Sequence, residues 1–477
     1  MSVLAPTRPT TADQGIQEVA LGRESHRLRW NKILCGIALG ICFWFSVPYQ
    51  FPYVQERDPK LAAAMESQAY AGSVSRQISM PILFCIGAYM LWRLPRRGKI
   101  RGRLMVVALM YVGWAVLSFT WSADPSITGK RLIVFAIDAF LAFVIARTLS
   151  MMEMALLGFF ATAGVALIAL YVETVKLAEL APFDPDYRFM GVTTANYMAM
   201  SLVVCVFCAL TLLEYRRRWA GWLIPSTVLA LTLLVLTRSR LSTVIVILML
   251  AIMLNKLTRD FFKPHVRAMI IVGCLAVAVP VIIYVVGRNG TNAAQLAFMM
   301  GRNDTENTSN LSNRAPLWSE LMESVERSLW LGVGYDAFWT PARVESISAD
   351  QGWTVPHAHN TYLDQALSLG VLGAALYAVM VLSAVVIAWR RYWHESSAGN
   401  LLAAVLLTWL ALEGVAESVP LDPYLPTLLA YACIAKMCMV EGSEEGVVEE
   451  IEAAPEPARQ RFAALRATKL LLHGRGN

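Results

Sequence analysis

Charge is what this sequence has least of: 16% of its 477 residues are Asp, Glu, Lys or Arg, against 57% apolar. A soluble globular chain carries about 25% charged residues, so a soluble enzyme is all but excluded, as are a disordered chain and a disulfide scaffold. The mean hydropathy is +0.50. The eight cysteines (Cys35, Cys42, Cys85, Cys205, Cys208, Cys274, Cys433, Cys438) all fall in apolar runs, where Cys acts as a small hydrophobe. Cys205 and Cys208 have C-x-x-C spacing, but they sit inside an apolar stretch, which argues against redox or metal chemistry. No signal peptide is evident, because the first apolar run starts near Trp30 without a small-residue cleavage site and reads as a retained helix. The two halves share no internal repeat of the kind many transporters show. The net charge of +6 is split between apolar runs instead of forming one basic patch, so nucleic acid is not implied.

What is present is a series of apolar stretches of spanning length. A helix needs about 20 residues to cross the hydrocarbon, and about twelve candidates meet that measure. They lie near 30–48, 77–94, 104–122, 131–149, 152–172, 195–214, 219–237, 241–256, 267–287, 361–389, 400–418 and 424–440. The run 361–389 is long enough to extend past the bilayer or to tilt steeply. The chain therefore reads as an all-α polytopic membrane protein, with tails at 1–29 and 441–477 flanking a helical domain at 30–440. Lys and Arg crowd alternate loops: Arg93 to Arg103, Arg216 to Arg218, Lys256 to Arg267, and Arg390 with Arg391. The positive-inside rule then puts both termini in the cytoplasm. The opposite face receives one large loop, 288–360, between spans nine and ten. The C-terminal tail, acidic from Glu441 to Glu452 and then basic and Leu-rich from Arg459 to Arg475, reads either as an amphipathic helix on the anionic leaflet or as a solvated tail.

Chemistry has few places to reside. Of six histidines only His357 and His359 map to the external side, in Pro356-His357-Ala358-His359-Asn360. A helix starting after Asn360 places His359 at a membrane–water boundary near a positive helix end; the plainer reading is a capping Asn beside incidental histidines. No Cys or third His lies outside to complete a zinc site. Arginines on that face are sparse. Arg238 and Arg240 form the connection between two apolar runs, where charge is costly and a functional candidate by default. Arg188 and Arg314 complete the set, and planar guanidiniums suit phosphate and pyrophosphate oxygens; lipid-headgroup anchoring is the alternative. Asp184-x-Asp186 has metal-pair spacing, but Pro185 favours a turn. Glu413 and Glu417 stand at i,i+4 and so share a helix face, with Glu417 close enough to the outer end to meet the arginines. Asp138 and Asp364 are intramembrane acids expected to pair inside the bundle. Leu331-Gly332-Val333-Gly334-Tyr335 lacks Walker spacing and reads as a turn. The N-x-S/T triplets at Asn303, Asn307 and Asn310 matter only in a secreting eukaryotic cell.

His359-Asn360, nine residues and then Gly370, within His357-Ala358-His359-Asn360-Thr361-Tyr362-Leu363-Asp364, resembles the signature of the O-antigen ligase and polysaccharide polymerase superfamily. Leu331-Gly332-Val333-Gly334-Tyr335-Asp336-Ala337-Phe338-Trp339 is similar to the glycine-rich segment of its exopolysaccharide polymerase branch. Asn313-Arg314 with Trp318 is similar to that branch's arginine before a Trp, although the branch usually has Gly where Asn313 stands. Trp121-Ser122-Ala123-Asp124-Pro125 resembles the family's third loop. Arg188 through Gly191 to Asn196, Ser239-Arg240 and Glu417-Ser418 match further points. Together these matches run from about residue 104 to about residue 435.

The resemblance implies glycosyl transfer at the periplasmic side of the bacterial inner membrane. The donor would be an undecaprenyl-pyrophosphate-linked glycan, the acceptor a glycan hydroxyl, and neither a nucleotide sugar nor a metal would be used. In that picture His359 is general base, a role suited to imidazole near neutral pH. Arg314 and Arg240 would stabilise the leaving pyrophosphate, and Arg188, Arg238, Asn360, His357 and Glu417 would bind substrate. Beyond donor, acceptor and bilayer, flippase and chain-length regulator proteins are the expected partners. The first reading is a polymerase of exopolysaccharide or O-antigen repeat units. A ligase passing finished polymer to lipid A core shares the chemistry, and a lipid-linked glycan flippase is the reading from a different class.

Overall fold

A computed structural model describes residues 30–41, 74–94, 99–100, 102–178, 180–184, 187–259, 262–266, 269, 272–273, 314–353, 355–419 and 424–440. Both tails therefore lie outside the described residues. So do most of the span expected at 267–287 and the loop segment 288–313. The described helices are α1 (Trp30–Ile41), α2 (Val74–Arg93), α3 (Arg103–Leu117), α4 (Pro125–Thr148) and α5 (Met151–Tyr171). They continue as α6 (Ala195–Tyr215), α7 (Ala220–Leu236), α8 (Arg240–Leu257), α9 (Arg314–Arg327) and α10 (Pro341–Gln351). Last come α11 (Thr361–His394), α12 (Ala398–Ala416) and α13 (Leu425–Met437). The chain is an all-α polytopic membrane protein. Seven of these helices, some with an adjoining turn, are long and apolar enough to cross a bilayer by length and composition. At 13 residues, α13 is about 20 Å long, short of the roughly 30 Å hydrocarbon.

Burial sorts the spans into layers. The α6 window is 89% buried and the α12 window 78%, against 22% for α3. A helix that is apolar all round belongs inside, so α6 and α12 form the centre and α3, α5, α7, α8 and α11 present apolar faces outward. Close packing around α6 relies on small residues: a Cβ at Gly158 would lie 2.7 Å from the Sγ of Cys208. Cys205 and Cys208 are buried there as apolar packing groups.

The two ends of the bundle differ in charge. At one end Lys436, 3% exposed, donates to the carbonyls of Ala146 (3.0 Å) and Leu149 (2.9 Å), and Arg391 donates to those of Lys436, Met437 and Met439. Cations at helix C-termini satisfy orphan carbonyls and complement the dipole. Lys99 pairs in register with Val440, and Lys256 donates to the Ser396 carbonyl. The opposite end carries α9, α10 and the functional candidates.

The long run at 361–389 does not run unbroken. Gly370 adopts φ 70, ψ 179 and divides α11, leaving 24 residues after it, about 36 Å of helix. A break inside a bundle is tolerated only where its freed backbone groups find partners, and here the glycine-rich segment supplies them. Val333 N donates to the Leu367 carbonyl (3.2 Å) and Gly334 N to that of Ser368 (2.9 Å). Val371 N donates to the Leu329 carbonyl (2.8 Å), and Trp114 Nε1 to that of Leu369 (3.0 Å). The expected turn at 331–335 is thus a turn that splints a broken helix. Both backbones approach too closely for a side chain: a Cβ on Gly370 would lie 2.2 Å from the Trp330 carbonyl oxygen. Gly370→Ala adds backbone strain of about 1–3 kcal/mol to that overlap. A marked loss of folded protein in the membrane and a lower thermal midpoint in detergent are expected; an unchanged midpoint would mean the two segments separate freely.

Candidate active site

The external end of the bundle is assembled by helix termini. Asn360 caps α11, accepting from Tyr362 N (3.0 Å) and Leu363 N (3.1 Å), as the capping reading expected. His359 precedes it at φ 50, a left-handed conformation uncommon outside glycine. The surrounding structure holds it there. His359 N donates to Nδ1 of His357 (3.3 Å), Ala358 N donates to Asp364 (3.1 Å), and Trp318 Nε1 donates to the Ala358 carbonyl (2.8 Å). Asp364 also accepts from Trp339 Nε1 (2.8 Å) and from Ser418 Oγ, so this intramembrane acid is paired, as anticipated.

Glu417 is the hub. The i,i+4 reading placed it on one face of a helix with Glu413, but α12 ends at Ala416 and Glu417 is extended, at φ −140, ψ 146. Tertiary bonds unwind that last turn. Arg314 Nη1 donates to the Ala416 carbonyl, Thr361 Oγ1 donates to the Glu417 carbonyl (3.0 Å), and Val419 N donates to Thr361 Oγ1 (2.8 Å). The freed carboxylate meets Nη2 of Arg314 (2.5 Å), Nδ2 of Asn196 (2.6 Å) and Nδ1 of His359 (3.2 Å). Asn196 stands in the first turn of α6 and His359 just ahead of α11, so two positive helix ends and the Arg314 guanidinium converge on one anion. Glu413 turns elsewhere, accepting from Ser242 Oγ (2.8 Å). Burial works against ionising Glu417, which lies past the end of its spanning helix. The His359 hydrogen bond and the Arg314 charge outweigh that and hold its carboxyl down at about 2.

Arg188 joins the network through Asn196 Oδ1 (3.1 Å) and donates Nε to the Thr237 carbonyl (3.1 Å). Sequence reasoning missed what positions it. Glu173, in a π turn at Val172–Lys176, accepts from Met190 N (2.7 Å), Gly191 N (2.6 Å) and the Tyr187 hydroxyl. A Glu just past a membrane span, in an irregular turn of a kind frequent at functional sites, was the available signal. Arg238 lies in the connection between α7 and α8, as expected. It is 5% exposed, sits at φ 54 and donates Nη2 to the Asp184 carbonyl (2.6 Å). The connection it occupies is tight because Thr237 closes α7 and Ser239 precedes α8. Arg240, half-buried, opens α8 at the same end of the bundle. Asp184 lies in a turn, and Pro185 and Asp186 fall outside the described residues. Asp124, from the third-loop match, caps α4 by accepting from Ile127 N (3.0 Å). Among the described residues no three His, Cys, Asp or Glu side chains come together as a metal set.

The tautomer of His359 follows from its partner. An ionised Glu417 can only accept, so Nδ1 carries the hydrogen, and in the neutral imidazole Nε2 then keeps the lone pair. Nε2 is shielded and has no hydrogen-bond partner among the described residues. The arrangement is a carboxylate-oriented histidine whose other ring nitrogen has no partner among the described residues, beside a group of arginines.

Residues 225–378 match the family model described as O-antigen ligase. That stretch contains Arg238, Arg240, Arg314, His357, His359, Asn360 and Gly370, whereas Arg188 and Glu417 lie outside it. The chain is 22% identical over 283 residues to the exopolysaccharide production protein ExoQ of Rhizobium meliloti (strain 1021). The alignment covers 57% of this chain and 62% of that protein, so the chain spans less than two thirds of the relative's length.

Proposed function

We propose that this chain, a member of the O-antigen ligase and polysaccharide polymerase superfamily, joins polyprenyl-pyrophosphate-linked oligosaccharide repeat units into a polymer. The observation that carries the reading is His359, held through Nδ1 by Glu417, its Nε2 without a partner among the described residues, at a bundle end that also holds Arg188, Arg238, Arg240 and Arg314. As the acceptor oxygen bonds to the anomeric carbon of the donor, its proton passes to Nε2 of His359. The bond from that carbon to the pyrophosphate oxygen breaks, and the electron pair leaves with the pyrophosphate. Guanidiniums take up the developing charge. Arg314 keeps donors free for this, since guanidinium has five and Glu417 and Ala416 engage its two terminal nitrogens. The imidazolium returns its proton to the released pyrophosphate or to solvent.

The basic end of the bundle belongs in the cytoplasm by the positive-inside rule, which puts this site on the periplasmic side of the bacterial cytoplasmic membrane. A lipid-linked donor explains why the site lies among spanning helices, and a flippase delivering that donor and a chain-length regulator are the partners this reading requires. The relative's role in exopolysaccharide production favours polymerase; the description of the matching family favours ligase. Purified chain in nanodiscs, given lipid-linked oligosaccharide extracted from a strain lacking it, should release polyprenyl pyrophosphate and build a polymer ladder. A chelator should not change the rate. Release only after lipid A core is added would make the chain a ligase, and no release under either condition would leave a transporter.

A further inference from the structure

We infer that Trp353 is part of the acceptor subsite, holding the attacking hydroxyl against His359 through its indole N–H. The inference rests on the proposed base role of His359. The rings of Trp353 and His359 pack with centroids 5.5 Å apart at an interplanar angle of 39°. Each carries a nitrogen that is shielded and without a hydrogen-bond partner among the described residues, Nε1 of Trp353 and Nε2 of His359. Buried indole N–H groups ordinarily find an acceptor, and an unsatisfied one in a folded site calls for an explanation.

The two nitrogens are complementary in kind. Indole Nε1 can only donate. With Nδ1–H committed to Glu417 (3.2 Å), Nε2 of the neutral imidazole can only accept. A hydroxyl is the small group that satisfies both, accepting from one and donating to the other. A phosphate oxygen would satisfy Trp353 but bring no proton to His359, so the pair selects the acceptor hydroxyl over the donor's leaving group. The platform is anchored. Trp353 follows Gly352, the left-handed residue closing α10 at φ 73, and its ring packs on the apolar cluster that includes Leu317, Leu321 and Val355.

The test uses the full chain in nanodiscs with two probes: the extracted lipid-linked oligosaccharide as donor, and the oligosaccharide freed from it by mild acid as added acceptor. Trp353→Phe keeps the ring and removes the N–H. The acceptor KM should rise about three- to tenfold, the range for one neutral hydrogen bond, while the donor KM stays unchanged. Trp353→Ala, which also removes the platform, should raise the acceptor KM further, and Trp353→His, which can restore an N–H donor, should recover part of the loss. An unchanged acceptor KM in Trp353→Phe, with wild-type chain turning over donor, overturns the subsite and leaves the polymerase reading intact. Equal rises in both KM values overturn it as well, because they assign Trp353 to general packing. Wild-type chain that releases no polyprenyl pyrophosphate sinks the catalytic reading itself, and the subsite with it.

Discussion

Replacing His359 with alanine is expected to cut polymer formation by about a hundred- to ten-thousandfold, the usual contribution of a general base, while the protein reaches the membrane at its normal level. That loss corresponds to roughly 3–5 kcal/mol of barrier. The fold should persist because Glu417 keeps Arg314 at 2.5 Å and Asn196 at 2.6 Å when the imidazole is gone. His359→Asn separates chemistry from backbone, since Asn tolerates the left-handed region better than most residues and should fail equally. His357→Ala should be milder, about three- to tenfold, because His357 shapes the loop: its Nδ1 accepts from His359 N, and its ring packs 4.2 Å from that of His359. Polymer length and yield in a deletion strain complemented with each variant, beside a membrane immunoblot, measure this. Normal polymer from His359→Ala with none from His357→Ala would move the base to His357. Normal polymer from both would end histidine base catalysis here.

The helices were legible because spanning needs long apolar runs, and their starts are written in local chemistry: Asp124-Pro125, Ser150 with Glu153, and Asn360 all cap where they stand. Eleven of the twelve expected spans overlap described helices, and seven of those helices are long and apolar enough to cross a bilayer. What could not be read is set by contacts far apart in the chain. Gly370 was legible as the end of the His-Asn-x9-Gly spacing, but the helix break there is visible only once the 329–334 segment is laid across it. The end of α12 at Ala416 is likewise dictated by Arg314 and Thr361, residues with no sequence proximity to it. The scarcity of external histidine and arginine nominated His359 and Arg314, and the place of Glu417 near the outer end nominated it as a partner of the arginines; its bond to His359, 58 positions away, was not legible. Trp353 carried no signal at all, being one aromatic among 14 tryptophans with no telling spacing.

Glu417→Gln is the substitution expected to rival His359→Ala, and for a different reason. The amide keeps the size and one acceptor oxygen but loses the charge that fixes the imidazole tautomer and balances Arg314. Orienting carboxylates beside a working histidine are worth about a hundredfold or more when removed. Leaving a largely buried cation without its partner costs about 3–5 kcal/mol of stability, and Arg314 is 19% exposed against 9% for Glu417. Both effects should appear together, as a large fall in turnover with the acceptor KM little changed and a lower unfolding midpoint in detergent. The pH dependence follows from the same group. The folded carboxyl is held at about 2, below its ordinary 4.5, so its ionised form stabilises the fold. That contribution is complete above about pH 4.5 and lost only as pH falls toward 2. The wild type should therefore gain stability between pH 2 and 4.5 relative to Glu417→Gln. A double variant, Glu417→Gln with Arg314→Gln, removes the stranded cation and should regain much of the midpoint while remaining inactive, since the tautomer is still unfixed and one guanidinium facing the pyrophosphate is gone. Recovery of turnover in that double variant would show that His359 needs no carboxylate to act and that Arg314 is not needed for the leaving group.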